Sequence, residues 1–196
     1  MKIKEAFSRW NSEIKPAVIA QYSADDEPAL SESWNDFTEY LCKDGELTDT
    51  QYHYCPSWDG EIPDADDEPA WLLEQMGVTF DITSIIERPD GIGEWGNGAP
   101  HWKVYVRRGA WGFPVFYSMG SAHKGEPEGA NVFNSLLMDT SDTDTSFEDW
   151  ADNMGLDSDS RKAERIFEAC KETERSLSEM FTAGEIRDLR ETFSDM

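Results

Sequence analysis

Apolar residues recur along this chain with two different periods. In the middle, VTFDITSIIE (78–87), HWKVYVRR (101–108) and WGFPVFYS (111–118) are rich in β-branched and aromatic residues and are bounded by glycine-bearing turns, which predicts three strands. In 101–108, Trp102, Val104 and Val106 point one way, and His101, Lys103, Tyr105 and Arg107 the other, the alternation of a half-buried strand. The last two segments predict a hairpin through Arg108, Gly109 and Ala110.

On either side the period lengthens to that of a helix. Trp34, Phe37, Thr38 and Leu41 predict an amphipathic helix over 33–42, opened by a Ser33–Asp36 capping box, with Asp36, Glu39 and Tyr40 off its apolar stripe. A second helix is predicted from about Asp67 to Met76, with Asp and Pro at its start and Gly77 at its end. Residues 43–66, with Pro56, Gly60 and Pro63, read mostly as loop. Residues 130–138 form an apolar helix, and Ser146 to Asp149 open another that turns Trp150 and Met154 inward and ends at Gly155. The longest helix starts near 157–160 and reaches about Phe181, with Ala163, Ile166, Phe167, Cys170, Thr173, Leu177, Met180 and Phe181 in one stripe; a short helix follows at 185–193. This order predicts an α+β fold, a small antiparallel sheet of about three strands packed against several helices, with a long helix near the C-terminus. By character the chain divides into an acidic, mainly helical region (1–77) and an α+β core region (78–196), or folds as one continuous domain.

Charge changes this picture more than overall composition does. Residues 23–81 hold seventeen acids against Lys43 alone, residues 136–160 hold eight acids and no base, and residues 82–135 are balanced, within a total of −24. Acidity serving only solubility would be spread over the whole surface, so the clustering points to cationic partners. A net −16 matches the charge on roughly 27 Å of duplex, about eight base pairs. The sign of this charge argues against direct binding to nucleic acid or an anionic membrane. With 38% apolar and 12% aromatic residues the chain is not a disordered acidic tail. No run approaches a membrane span, and the charged start MKIKEAFSRWNSE leads us to expect a cytoplasmic protein. Cys42, Cys55 and Cys170 are odd in number and irregularly spaced, and are expected as free thiols.

Several sequence features suggest chemistry when read alone. Gly91, Gly93 and Gly96 match a dinucleotide fingerprint but lack the helix it must open. Asp142, Asp144, Ser146 and Glu148 are spaced like a calcium loop, yet Phe147 replaces the required glycine. Cys42, His53 and Cys55 are zinc-ligand types without a fourth ligand or a CxxC pair. His101 and His123 are possible general bases with no nucleophile motif around a serine or cysteine. Lys103, Arg107 and Arg108 read as a small anion site or, more simply, as partners of the protein's own acids. No cofactor or catalytic set emerges, and the expectation is a protein that is not an enzyme.

From about Val78 to Phe181 the chain carries HWKVYVRR (101–108), YSMGSAHKGEP (117–127), NVFNSLLMD (131–139) and SFEDWADNMGLDSDSRKAERIFEAC (146–170). In these motifs it resembles a group of uncharacterised small proteins of bacteriophages and prophages. That resemblance implies a phage-encoded accessory protein, and small acidic phage proteins are often inhibitors of restriction or CRISPR complexes. The sequence thus leads to an expected inhibitor or adaptor that covers a basic nucleic-acid-binding surface of a host protein. Its expected contacts are Asp25, Asp26, Glu27, Glu32, Asp36, Glu39, Asp59, Glu61, Asp64, Asp66, Asp67 and Glu68, with Tyr52, Tyr54 and Trp58 as aromatic anchors and 139–159 as an additional acidic segment. The rival readings are a virion or replication-associated structural protein and a divalent-metal-binding protein or enzyme.

Overall fold

The computed structural model describes residues 1–89, 100–120, 122 and 125–194. The chain forms two compact units: Met1–Met76 together with Arg187–Met196, and Gly77–Ile186. Residues 187–194, which the sequence grouped with the α+β region, therefore pack in the acidic one.

The first unit is helical. It contains α1 (Ile3–Arg9), a π turn (Trp10–Ile14), α2 (Lys15–Gln21), α3 (Glu27–Lys43), α4 (Asp49–Tyr54), α5 (Glu68–Gln75) and, from Arg187 onward, α9 (Ala183–Ser194). The stripe read from sequence is the buried side of α3, where Leu30, Trp34, Phe37, Thr38 and Leu41 lie. The helix starts two turns earlier than expected, because Asp26 accepts from Ala29 N–H at 3.1 Å and Pro28 fits the first turn. Ser33 is therefore not a cap; mid-helix, its hydroxyl accepts the indole N–H of Trp10 at 2.9 Å. Helix α4 lies in the segment read as loop and is opened by Thr48 and Gln51, each bonding the other's backbone N–H.

Trp10 and Trp34 anchor the core of this unit, their ring centroids 5.5 Å apart and their surroundings formed by Ala6, Leu30, Phe37, Leu41 and Leu47. Burying each indole contributes roughly 4–6 kcal/mol before entropy. Both N–H groups are satisfied, that of Trp34 by the Pro56 carbonyl at 2.8 Å. The π turn begins at Trp10, whose carbonyl accepts from Lys15 N–H. It brings the Lys15 ammonium to 5.3 Å from the ring centroids of both Trp10 and Trp58. Lys15→Ala should cost about 1–2 kcal/mol in a urea melt followed by tryptophan fluorescence, and Lys15→Arg should restore most of it.

The second unit contains a three-stranded antiparallel sheet in the order β1 (Val78–Ile85), β2 (His101–Arg108), β3 (Trp111–Ser118). Gly109, at φ +60°, makes the tight turn of the β2–β3 hairpin. Val104 faces Ile82 and Val115, and Val106 faces Phe80 and Phe113, so one face of the sheet is apolar. The remaining helices are α6 (Gly129–Asp139), α7 (Phe147–Asn153), α8 (Arg161–Met180) and the first turn of α9. A Cβ on Gly129 would run into the Phe80 ring, so the start of α6 rests directly on β1. Phe133 of α6 then meets Phe80 and Phe181 edge-on, at 6.3 and 5.5 Å. Trp150 packs on Phe167 at 5.2 Å, joining α7 to α8; Met154, expected beside it, is 42% exposed. The Ser146 and Ser160 hydroxyls cap α7 and α8.

At the far end of β2, Arg108 donates to Glu185 at 2.6 Å and to the Met180 carbonyl at 3.1 Å, with its guanidinium 4.8 Å from the Phe181 ring centroid. Glu185 and Thr182 in turn form a capping box at the start of α9. One cation thus ties a strand end to the junction of two helices.

Candidate partner-binding surface

In α3, residues 32, 36 and 39 recur at helical spacing opposite Trp34 and Leu41, so Glu32, Asp36 and Glu39 share the polar face. Asp25 and Glu27 are exposed at the start of the same helix. Asp26 is committed to capping it. In the segment between α4 and α5, Asp59, Glu61, Asp64, Asp66 and Asp67 are all exposed. The chain turns there through bends that leave carboxylates in water while Pro63 and Pro69 face inward.

Residues 1–76 hold eighteen acids and five bases, and with 187–196 the first unit carries a net −14. Its bases are engaged locally. Lys4 pairs with Asp64, Lys43 with Glu39 at 2.6 Å, and Arg9 with Glu46 at 3.1 Å and Glu13 at 3.5 Å. Lys2 donates to the Thr192 carbonyl, Lys15 lies over the two indoles, and Arg187 pairs with Asp188. Asp25, Glu27, Glu32, Asp36, Asp59, Glu61, Asp66 and Asp67 are exposed and have no salt bridge among the described residues.

Glu68 is a correction to the expected contacts, because it is fully buried. Its carboxylate accepts from Ile3 N–H at 2.7 Å and from the Gln51 amide at 2.6 Å, so it joins α1, α4 and α5 rather than meeting a partner. Burial pushes its carboxyl up; hydrogen bonds from Gln51 and Ile3, then the charge of Lys2, pull against that rise without cancelling it. Asp188 plays the matching role for the C-terminal segment, accepting from Thr50 N–H at 3.0 Å and the Thr50 hydroxyl at 2.9 Å.

The expected aromatic anchors separate in the same way. Tyr52 is exposed. Tyr54 is half-buried and stacks edge-on with His53, and Trp58 packs against the indole core. Sequence reasoning missed Tyr22 and Tyr40, which are 58% and 53% exposed. The position of Tyr40 off the α3 stripe signalled it; nothing in the sequence signalled Tyr22. Lys43 links the two helices electrostatically: the Glu39 hydrogen bond raises its pKa first, with further contributions from Tyr52 and Asp36.

In the second unit Asp139, Asp142, Asp144, Glu148, Asp149, Asp152, Asp157 and Asp159 are exposed. Asp149 accepts from the Ser146 hydroxyl, and Asp157 from Asp159 N–H, so this segment serves its own helix starts. Arg107 lies 4.4 Å from the Tyr105 ring centroid, and Lys103 is exposed.

Among the described residues no group of three or more His, Cys, Asp or Glu side chains is placed to hold a metal, and no helix is long and apolar enough to cross a membrane. The glycines at 91, 93 and 96, and His123, lie outside the described residues. His101 Nδ1 is 2.9 Å from the Ser118 hydroxyl across the β2–β3 pair, and Arg88 donates to the same hydroxyl at 3.2 Å.

Cys42, Cys55 and Cys170 are unbridged. Burial, and then Glu68, pushes Cys55 up to about 12; burial, and then Asp139, pushes Cys170 up to about 12. Cys42 is raised by burial and by Asp49, whose carboxylate accepts from its thiol at 3.3 Å. A disulfide reagent at pH 8 should therefore react with Cys55 and Cys170 at least ~100-fold more slowly in the native protein than in guanidinium-unfolded chain, because only thiolate attacks.

The chain matches no family model, no curated protein and no solved structure. The functional reading therefore rests on the motifs and geometry set out above.

Proposed function

We propose that this protein is an acidic inhibitor that occupies the basic surface by which a host protein complex holds nucleic acid. The observation that carries the reading is the charge balance of the first unit. The net −14 is not neutralised internally, since its lysines and arginines are engaged at specific sites while eight carboxylates remain exposed and unpaired among the described residues. That charge equals the phosphate charge on roughly 24 Å of duplex. Exposed tyrosines next to such carboxylates supply contact area at low entropic cost, while charge governs the encounter rate. The resemblance to small phage proteins that the sequence carries over 78–181 suggests a partner in the host cytoplasm, of the restriction or CRISPR class.

The test is capture of a basic partner from host lysate on the tagged protein at low salt, followed by competition with short duplex DNA. Occupation of a nucleic-acid surface predicts displacement by duplex and by rising salt. A partner that resists both supports instead an adaptor or structural role in the virion or replication machinery.

A further inference from the structure

In Gly77–Ile186, apart from the acidic unit, a pocket of about 430 Å³ opens beside the end of β3 and the first two turns of α6. That volume suits a small ligand. Glu126 and Glu128 line it from the loop before α6, Asn131 and Asn134 from the helix, and Tyr117 and Met119 from the strand end. Pro127, between the two glutamates, is buried, which pins the backbone that carries both carboxylates. Asn131 Nδ2 donates to Glu128 Oε2 at 3.3 Å, which orients that amide and leaves its carbonyl oxygen as an acceptor. Among the described residues no lysine, arginine or histidine lines the space. The positive end of α6 amounts to about half a charge, against two carboxylates in the described lining.

The pocket thus offers carboxylate and carboxamide acceptors beside one aromatic ring. A planar cation with five N–H donors and no acceptor is the complementary shape, and its face stacks on tyrosine. We propose that this pocket binds a guanidinium group, supplied either by a free small molecule or by an arginine side chain of a partner. The proposal does not depend on the acidic first unit.

The test is a ¹⁵N-resolved NMR titration of the full chain with methylguanidinium, with urea as the uncharged planar control. Saturable shifts should concentrate at residues 117–119 and 126–135, with urea silent there. The Glu126→Gln/Glu128→Gln variant, altered only at exposed side chains, should keep the wild-type spectrum elsewhere and bind about tenfold or more weakly. Asn134→Ala should weaken binding without changing the sign of its salt dependence. A Gly-Arg-Gly amide that binds tighter than methylguanidinium identifies a partner's arginine as the ligand; equal affinity identifies a free small molecule. The proposal is overturned if the shifts spread equally over the first unit's carboxylates, if urea gives the same shifts, or if the double variant binds as well as the wild type.

Discussion

Glu68→Ala should destabilise the first unit by about 3–5 kcal/mol, seen as a fall in the urea midpoint with little change in slope. The carboxylate is fully buried, and its loss leaves two donors, Ile3 N–H and the Gln51 amide, without their acceptor. Each unsatisfied buried donor costs about 1–3 kcal/mol, and the vacated volume adds to that. Against a typical total of about 5–15 kcal/mol the loss is large. Glu68→Gln keeps the volume and one acceptor and should cost less.

The same pair of variants has a defined pH signature. Folding raises the Glu68 carboxyl above its ordinary value, so the native state keeps a proton that the unfolded chain has already released. Stability contributed by this group therefore falls as pH rises, from the ordinary glutamate value up to the raised native one. A carboxamide does not titrate and has no such slope, so the advantage of wild type over Glu68→Gln should shrink as pH rises from about 4 to 7. An advantage that grows over that range would contradict the raised carboxyl. Glu185 behaves oppositely. Burial pushes it upward, but the Arg108 and Thr182 hydrogen bonds and the Arg108 charge outweigh that and hold it below its ordinary value. Its contribution is present above the ordinary glutamate value and is lost as pH falls through the lowered one.

Replacing Glu32, Asp36, Glu61, Asp66 and Asp67 together by their amides should slow association with the captured partner by about 10²–10³-fold at low salt. Electrostatic steering spans that range between complementary and neutral surfaces, and it acts on the association rate. All five side chains are exposed and lack salt bridges among the described residues, so stability should stay within about 1 kcal/mol of wild type. The dependence of binding on salt should flatten in the same variant. Unchanged association, measured by surface plasmon resonance over a salt series, would remove the electrostatic basis of the proposed function.

The sheet and the later helices were legible because their signals are local. Alternating Val104 and Val106 with exposed Lys103 and Arg107 fixes a face, and the Ser146 and Ser160 hydroxyls mark helix starts within three residues. The first unit was harder to read. Helix α4 is six residues long and mostly polar, too short for a period to emerge, and only Thr48 and Gln51 mark it. The earlier start of α3 was masked by Ser33, whose spacing to Asp36 imitates a cap while its hydroxyl serves Trp10 across the core. Glu68 was nominated as a surface contact because it sits among acids, and nothing local distinguishes it from Asp66 and Asp67. Its burial depends on Ile3 and Gln51, partners 65 and 17 positions away, which no window of sequence brings together. Residues 187–194, which the sequence reads with the α+β region or as part of one continuous domain, pack with the first unit through a contact of the same kind, since Asp188 answers to Thr50, 138 positions away.

That last contact bears on how the protein is made. Thr50 leaves the ribosome long before Asp188, and all of Gly77–Ile186 is translated in between. At ordinary elongation rates those about 110 residues take roughly 6–22 s. For that interval the nascent acidic segment lacks the side chain that anchors α4, and a product cut short before Arg187 never acquires it. Interrupted translation would thus yield chains with a loosened N-terminal half, exposed to proteolytic clearance, so that only finished molecules persist.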